Sequence, residues 1–255
     1  MINHQMRLEE ERKFWDRHAE NVWRDVQDFR MPNLASFEEL CKSISYLGPV
    51  IEFVGSVRDK CVLDLACGDG WLSWSLAKSG AVVNGCDISP RSIEVATQIA
   101  RANGLESRVR FDTMICEKLA YEDGQFDLVV MHAALHHCDI NKTRNEIYRV
   151  LKKGGKAVLI EDYAYNPLMN LYRRLTPHRH TETEEALTDH DLRLIVTGFA
   201  EHSFEHFGIV DLIETRQERW LQIMKPVVRL VDSCLYRMFP RIRKYSKLVE
   251  IFLVK

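Results

Sequence analysis

Two carboxylates and a pair of glycines frame the most chemically specific stretch of the chain. Asp64 lies in the apolar run Val62-Leu63-Asp64-Leu65, which continues as Ala66-Cys67-Gly68-Asp69-Gly70 and then as Trp71-Leu72-Ser73. This reads as a short buried strand that breaks into a turn and restarts as a helix. Gly68 and Gly70 have no Cβ, so the backbone can take positive φ and a ligand can come close, while the helix beyond begins with unpaired N–H groups. Asp87 stands nineteen residues after Gly68, at the end of the next apolar run. A carboxylate at a strand end repels phosphate but accepts hydrogen bonds from an ammonium or a hydroxyl. The favoured guest is therefore a cationic, amino-acid-like nucleoside rather than a pyrophosphate.

Further along, His132, His136 and His137 follow the apolar run Phe126 to Met131. Titratable imidazoles beside a strand end are candidates for proton transfer, although each could equally pin the loop by bonding backbone. Glu161, Asp162, Tyr163 and Tyr165 follow a later strand, where loops carry function.

The elements that must position these groups alternate. Strands are expected at Cys61 to Leu65, Ala81 to Cys86, Val109 to Met114, Phe126 to Met131 and Lys156 to Glu161. Helices are expected at Trp71 to Ser79, from the Ser89-Pro90 cap to Ala102, and at Lys142 to Leu151. Short apolar strands separated by helices imply βαβ units and a parallel sheet covered on both faces. Helices are also expected from Asn166 to Leu175 and from a Thr188 cap to Thr197, then strands from Ala200 to Phe207 and Leu248 to Val254. About 40 residues separate those last strands and carry apolar residues at helical spacing, which marks a helical insertion over about 209–244. Ahead of the core, residues 5–30 suit one or two amphipathic helices and residues 34–53 a further helical segment. The expected organisation is a helical arm or lid over 1–55 and a core over 56–255.

Composition limits the partners. With 255 residues, 46% hydrophobic, 28% charged and a net charge of −2, the chain suits one domain with appendages and a small-molecule substrate, not nucleic acid held by phosphate contacts. The N-terminus lacks a signal-peptide core, no apolar run is long enough to span a bilayer, and the seven cysteines form no Cys-x-x-Cys pair. A cytoplasmic protein with reduced thiols is expected, as a monomer or homodimer.

The glycine turn resembles that of the class I S-adenosylmethionine-dependent methyltransferases, in the small-molecule branch known as the type 11 methyltransferase domain. The resemblance runs from about Phe14 to Ile160. It rests on five anchors in order: the turn, Cys86-Asp87-Ile88-Ser89, Phe126-Asp127-Leu128-Val129-Val130, Ala134-Leu135-His136-His137, and Arg149-Val150-Leu151-Lys152-Lys153-Gly154-Gly155. It implies a Rossmann-like α/β fold with seven strands in the order 3-2-1-4-5-7-6 and strand 7 antiparallel. It also implies S-adenosyl-L-methionine as cofactor. Asp64, Ala66 and the Gly68/Gly70 turn would hold the methionyl part, with Trp15 folded over it; Asp87 would take the ribose hydroxyls and Ile88 would pack on adenine. Ile115 and Cys116 would border the adenine and His132 the reacting end, and no metal is expected.

Two departures from the family pattern stand out. Ala66 replaces the first glycine of the turn, which is tolerable if its φ is negative. Ile115 occupies a position where many members have an acid that reads the adenine amino group; Asp112 or Glu117 would replace it, or apolar contact and the Cys116 N–H would serve. Transfer to a hydroxyl would use a base, His137 first and His136 second, with Asp162, Tyr163 and Tyr165 on the acceptor side. The insertion would cap a pocket for a hydrophobic acceptor, and its basic end, from Arg229 to Lys247, suits anionic lipid. The alternatives are a nicotinamide-dependent oxidoreductase, since Gly68-x-Gly70-x-x-Ser73 is one residue short of G-x-G-x-x-G, and a non-catalytic protein that binds S-adenosylmethionine. A basic cluster at His178, Arg179 and His180 is expected to be a solvated loop.

Overall fold

The computed structural model of the chain describes residues 4–24, 26, 28–31, 33–176, 186–209 and 219–255; the cluster at His178 to His180 lies outside them. Seven strands form one sheet: β1 (Cys61–Leu65), β2 (Val82–Asp87), β3 (Val109–Thr113), β4 (Phe126–His132), β5 (Leu151–Asp162), β6 (Glu201–Phe207) and β7 (Leu248–Val254). Their order is 3-2-1-4-5-7-6. The first five are mutually parallel where they pair, and β7 runs antiparallel to both neighbours, β5 and β6. This is the Rossmann-like arrangement that the resemblance implies. The chain runs from β1 out through β2 to β3 on one side and then crosses to β4 on the other side of β1, so a crevice opens where the strand order reverses, at the carboxyl ends of β1 and β4.

The central strands are apolar because both faces are covered. On one face α2 (Phe37–Ser43), α3 (Gly48–Val54), α4 (Trp71–Lys78) and α5 (Pro90–Ala102) pack around Phe37, Leu47, Leu76 and Ile99. On the other, α6 (Ile140–Val150) and α8 (Asp189–Ile195) pack around Phe126, Ile147, Leu159 and Ile195. The arm ahead of the core is a single helix, α1 (His4–Trp23), lying against α5. Residues 37–54 join the sheet's own core and break into two helices with a 3₁₀ turn (Ser45–Leu47) between them, because Pro49 restarts a helix at its first turn. α7 (Pro167–Leu175) begins at an Asn166 cap, and α9 (Arg219–Met238) is the helix of the insertion.

β5 starts five residues earlier than the apolar pattern suggests, at Leu151 rather than Lys156. Phe126 pairs with Leu151 and Leu128 with Lys156, so Gly154 and Gly155 form a bulge inside the strand instead of a turn before it.

Of the buried carboxylates in the strands, one lacks a hydrogen-bonding partner. Glu250 of β7 is fully buried, lies opposite Glu205 of β6, and has no hydrogen-bond partner for either carboxylate oxygen. Burial, and then the Glu205 charge, push its pKa up to about 9. Its proton is bound in the folded state at pH values where the unfolded chain has released it, so stability falls as pH rises from about 4.5 to about 9 and levels off above that. The slope is at most about 1.4 kcal/mol per pH unit. Chemical denaturation of Glu250→Gln across this range is expected to show that slope removed and the protein more stable than the parent at pH 8; an unchanged slope would exclude a neutral Glu250.

Candidate active site

The turn after β1 is built on a carboxylate beneath it. Asp64 is buried and accepts a hydrogen bond from Ser73 Oγ (2.6 Å) on α4, which ties the strand end to the helix that follows. Burial raises the pKa of Asp64 to about 7, against the lowering effect of the Ser73 bond. Gly70 caps α4 at φ 93°, and a Cβ there would come within 2.9 Å of the Trp74 ring nitrogen. Gly68 has φ 54°, and a Cβ there would meet nothing within 4 Å. Gly70 thus serves packing, while Gly68 leaves open space for a ligand.

Ala66 takes φ 56°, not the negative value that would make it an easy substitute for glycine. An L-residue in the left-handed region costs about 1–2 kcal/mol. Neither the Cys67 N–H bonded to Cys86 O nor the buried turn below leaves it another conformation.

Above the turn lies a cavity of about 270 Å³. Its floor is Ala66, Cys67, Gly68 and Asp69; one side carries Asp87, Ile88, Ile115, Cys116 and Glu117, the other His132, Ala133, Ala134 and His137. Its roof is α1, which presents Leu8, Glu11, Trp15, His18, Ala19, Val22 and Trp23 at helical spacing. Four of its residues fasten that roof through polar contacts. Arg7 pairs with Glu117 and donates to His137 O (2.8 Å), and Glu11 Oε1 meets His137 Nδ1 at 3.2 Å. Asp16 Oδ1 accepts from Ser89 Oγ (2.6 Å) and Arg91 N (3.2 Å), and Trp23 Nε1 donates to Asp69 Oδ2 (3.2 Å).

The cradle is negative. Asp87 accepts N–H bonds from Gly68 (2.9 Å) and Ser89 (2.8 Å), and burial outweighs them to raise its pKa; burial also raises that of Asp69. Asp16, Asp64, Asp69 and Asp87 cluster around the turn, and among the described residues no lysine or arginine side chain forms an ion pair with any of them.

Of the residues singled out in the sequence, Trp15, Ala66, Gly68, Asp87, Ile88, Ile115, Cys116, His132 and His137 line this cavity; Asp64, Gly70 and His136 do not. His136 Nδ1 bonds Glu161 Oε2 (2.7 Å), and Glu161, fully buried, also accepts from Ala134 N (3.0 Å) and Leu135 N (2.8 Å). Burial pushes the Glu161 pKa up, but these partners, His136 foremost, more than reverse it. At the Ile115 position, Glu117 reaches the cavity but is engaged by Arg7 and Asp139 N, while Asp112 bonds Arg110.

Asp162, Tyr163 and Tyr165 lie off the cavity as well. Asp162 pairs with Arg173 (2.7 Å), the Tyr163 hydroxyl donates to Asp189, and the Tyr165 hydroxyl accepts from Asp189 N (3.2 Å). A second cavity, about 550 Å³, opens beside β6, β7 and α9, with Tyr46, His206, Phe207, Tyr236, Arg243 and Lys247 in its walls. Tyr46 Oη meets His132 Nε2 at 3.1 Å, so this pair stands between the two cavities. Burial lowers the His132 pKa, because it disfavours the charged ring. Sequence reading missed Tyr46, Arg7 and Glu11. Glu11 alone left a signal, an acid on the apolar face that runs through Leu8, Trp15 and Ala19.

A sheet of this order with a cavity across its strand ends defines the class I methyltransferase fold. Residues 63–159 match the family model described as a methyltransferase domain, and the chain has the fold of the class I S-adenosylmethionine-dependent methyltransferases. Ubiquinone biosynthesis O-methyltransferase of Bordetella avium (strain 197N) is 34% identical over 160 residues, 61% of this chain and 59% of that protein. Norajmaline N-methyltransferase of Rauvolfia serpentina is 36% identical over 124 residues, 48% of this chain and 42% of that protein. The solved structure of geranyl diphosphate C-methyltransferase from Streptomyces coelicolor A3(2) shares the fold with a TM-score of 0.65 at 14% identity, over 100% of this chain and 99% of that one. The matched stretches span from 37% to 59% of the curated relatives' own lengths.

Replacing Ala66 by glycine relieves the left-handed strain at the cost of a freer unfolded chain. The net gain is about 0.5–1 kcal/mol. Thermal unfolding of Ala66→Gly is expected to show a higher midpoint than the parent; a lower midpoint would mean that the methyl group packs favourably enough to outweigh the strain.

Proposed function

We propose that the chain transfers a methyl group from S-adenosyl-L-methionine to a small hydrophobic acceptor, oxygen-directed ahead of nitrogen- or carbon-directed. The observation that carries this reading is the negative cradle around Gly68, with room for a ligand directly above it. Four carboxyl groups with no lysine or arginine ion pair among the described residues favour a sulfonium and an ammonium, and they disfavour the pyrophosphate of a dinucleotide. Asp87 would hold the ribose hydroxyls, Ile88 and Ile115 the adenine by apolar contact, and the Gly68 backbone with Asp69 the methionyl end. Asp64 supports the turn from below.

When bound, the cofactor supplies a methyl group already activated by positive charge. The protein's part is to align the acceptor and exclude water, which can lower the barrier by up to about 7–11 kcal/mol. Of the segment 1–55, we assign α1 alone the role of a lid that excludes water, since residues 37–54 belong to the core. His137 is our choice of base for a hydroxyl acceptor: it lines the cavity, Trp15 packs edge-on against it at 5.7 Å, and Glu11 orients it. Glu161 engages His136, which suits that residue to positioning the loop. The acceptor would approach from the second cavity past Tyr46 and His132.

Calorimetry with S-adenosylmethionine, S-adenosylhomocysteine and NAD tests the ligand. Binding of the first two is expected, with Asp87→Asn weakening it at least about tenfold, as loss of charged hydrogen bonds implies; tight NAD binding alone would overturn the reading. Mass analysis of extracts incubated with methyl-labelled cofactor then identifies the acceptor. With that acceptor, His137→Ala is expected to lose about 10² to 10⁴ in rate along with the ionisation of the base in the pH profile. Unchanged turnover and profile would exclude His137 as the base.

A further inference from the structure

The described part of the insertion places its polar and apolar faces the reverse of what a helix on a globular core requires. In α9, Asp232 is buried and accepts the Ile209 N–H (3.2 Å), while Val227, Leu230, Val231 and Met238 face solvent. These four fall at i, i+3, i+4 and i+11, on one side of the helix. Leu230 is 64% exposed and Met238 67%. α7 repeats the pattern: Leu168, Leu171 and Leu175 share one side and are all exposed, Leu175 at 71%, and none of its residues is buried. The two helices rise from the same end of the sheet. Asn166, the cap of α7, donates to Ile209 O (3.1 Å) and Tyr245 O (2.9 Å), at the two ends of the insertion.

Charge selects the occupant of this face. Residues 227–247 hold six basic side chains and one acid, the buried Asp232, in a chain whose net charge is −2. α7 adds the exposed Arg174 with no acid of its own, Arg173 being paired with Asp162. Exposed aliphatic side chains flanked by arginines match a surface that is negative outside and apolar beneath. A second copy matches less well, since a two-fold contact would set this basic face against itself. No helix of the described residues is long and apolar enough to cross a membrane, so any contact through this face lies in the plane of the interface.

We propose that the exposed face of α7 and α9 docks on the surface of an anionic lipid bilayer. The docked face adjoins the second cavity, whose wall includes Tyr236 and Arg237 of α9, so a molecule dissolved in the bilayer would have a short path to it. The proposal stands apart from the methyl-transfer reading, because lipid binding needs no cofactor.

Flotation of the full chain with vesicles of phosphatidylcholine, alone or mixed with phosphatidylglycerol, tests it. Binding to the mixed vesicles only, weakened by salt, is expected. Two double variants separate the contributions, Leu171→Glu with Leu230→Glu and Arg174→Glu with Arg241→Glu. Each is expected to bind at least about tenfold more weakly than the parent while unfolding cooperatively at the parent's temperature. A parent that does not float with anionic vesicles, or folded variants that float as the parent does, would overturn the proposal. So would a dimer in sedimentation velocity that Leu230→Glu dissociates, without any vesicle binding by the parent.

Discussion

The loop after β4 is held from beneath by one buried carboxylate. Glu161 sits at the end of β5 with no exposed surface, and its oxygens take the N–H groups of Ala134 and Leu135 and the ring of His136. A charge in that position is tolerable only because every nearby donor is turned toward it. Turning them inward sets the course of the chain: Ala133 takes a positive φ of 52°, His136 faces down, and His137 is left facing the cavity. Asp64 does the same work under the floor, the glycine turn, through Ser73. This wall and the floor of the site are thus each a loop resting on a carboxyl group that a ligand need not touch.

The roof follows a different logic. α1 has two buried residues, Glu11 and Ala19, and is secured mainly by polar contacts at its start, middle and end. Its partners belong to the segment after β3, the loop after β4, the start of α5 and the glycine turn, so one helix gathers four separate parts of the sheet's edge.

The sheet was legible in the sequence because its strands are short apolar runs closed by glycine or by a capped helix, and Ser89-Pro90 and Asn166-Pro167 mark helix starts that local chemistry alone determines. The long β5 was not, because Gly154-Gly155 looks like a turn when the bulge that absorbs it depends on pairing with β4. In the site, residue types showed which groups are chemically capable but not which way each faces. His136 and His137 are adjacent and alike, and only the carboxylate brought in from β5 distinguishes them. Ala66 is the converse case: its small side chain suggested an undemanding position, whereas the backbone there takes a left-handed turn that the strand above and the helix below impose.

The Tyr46–His132 pair divides the interior into two chambers with different doors. No residue of α1 borders the second chamber, whereas seven border the first. Leaving the first through its roof means displacing a helix fastened to four parts of the sheet edge, whereas the walls of the second hold none of those fastenings. The fold thereby ties opening on the side of the glycine turn to α1 and leaves opening on the side of α9 independent of that helix.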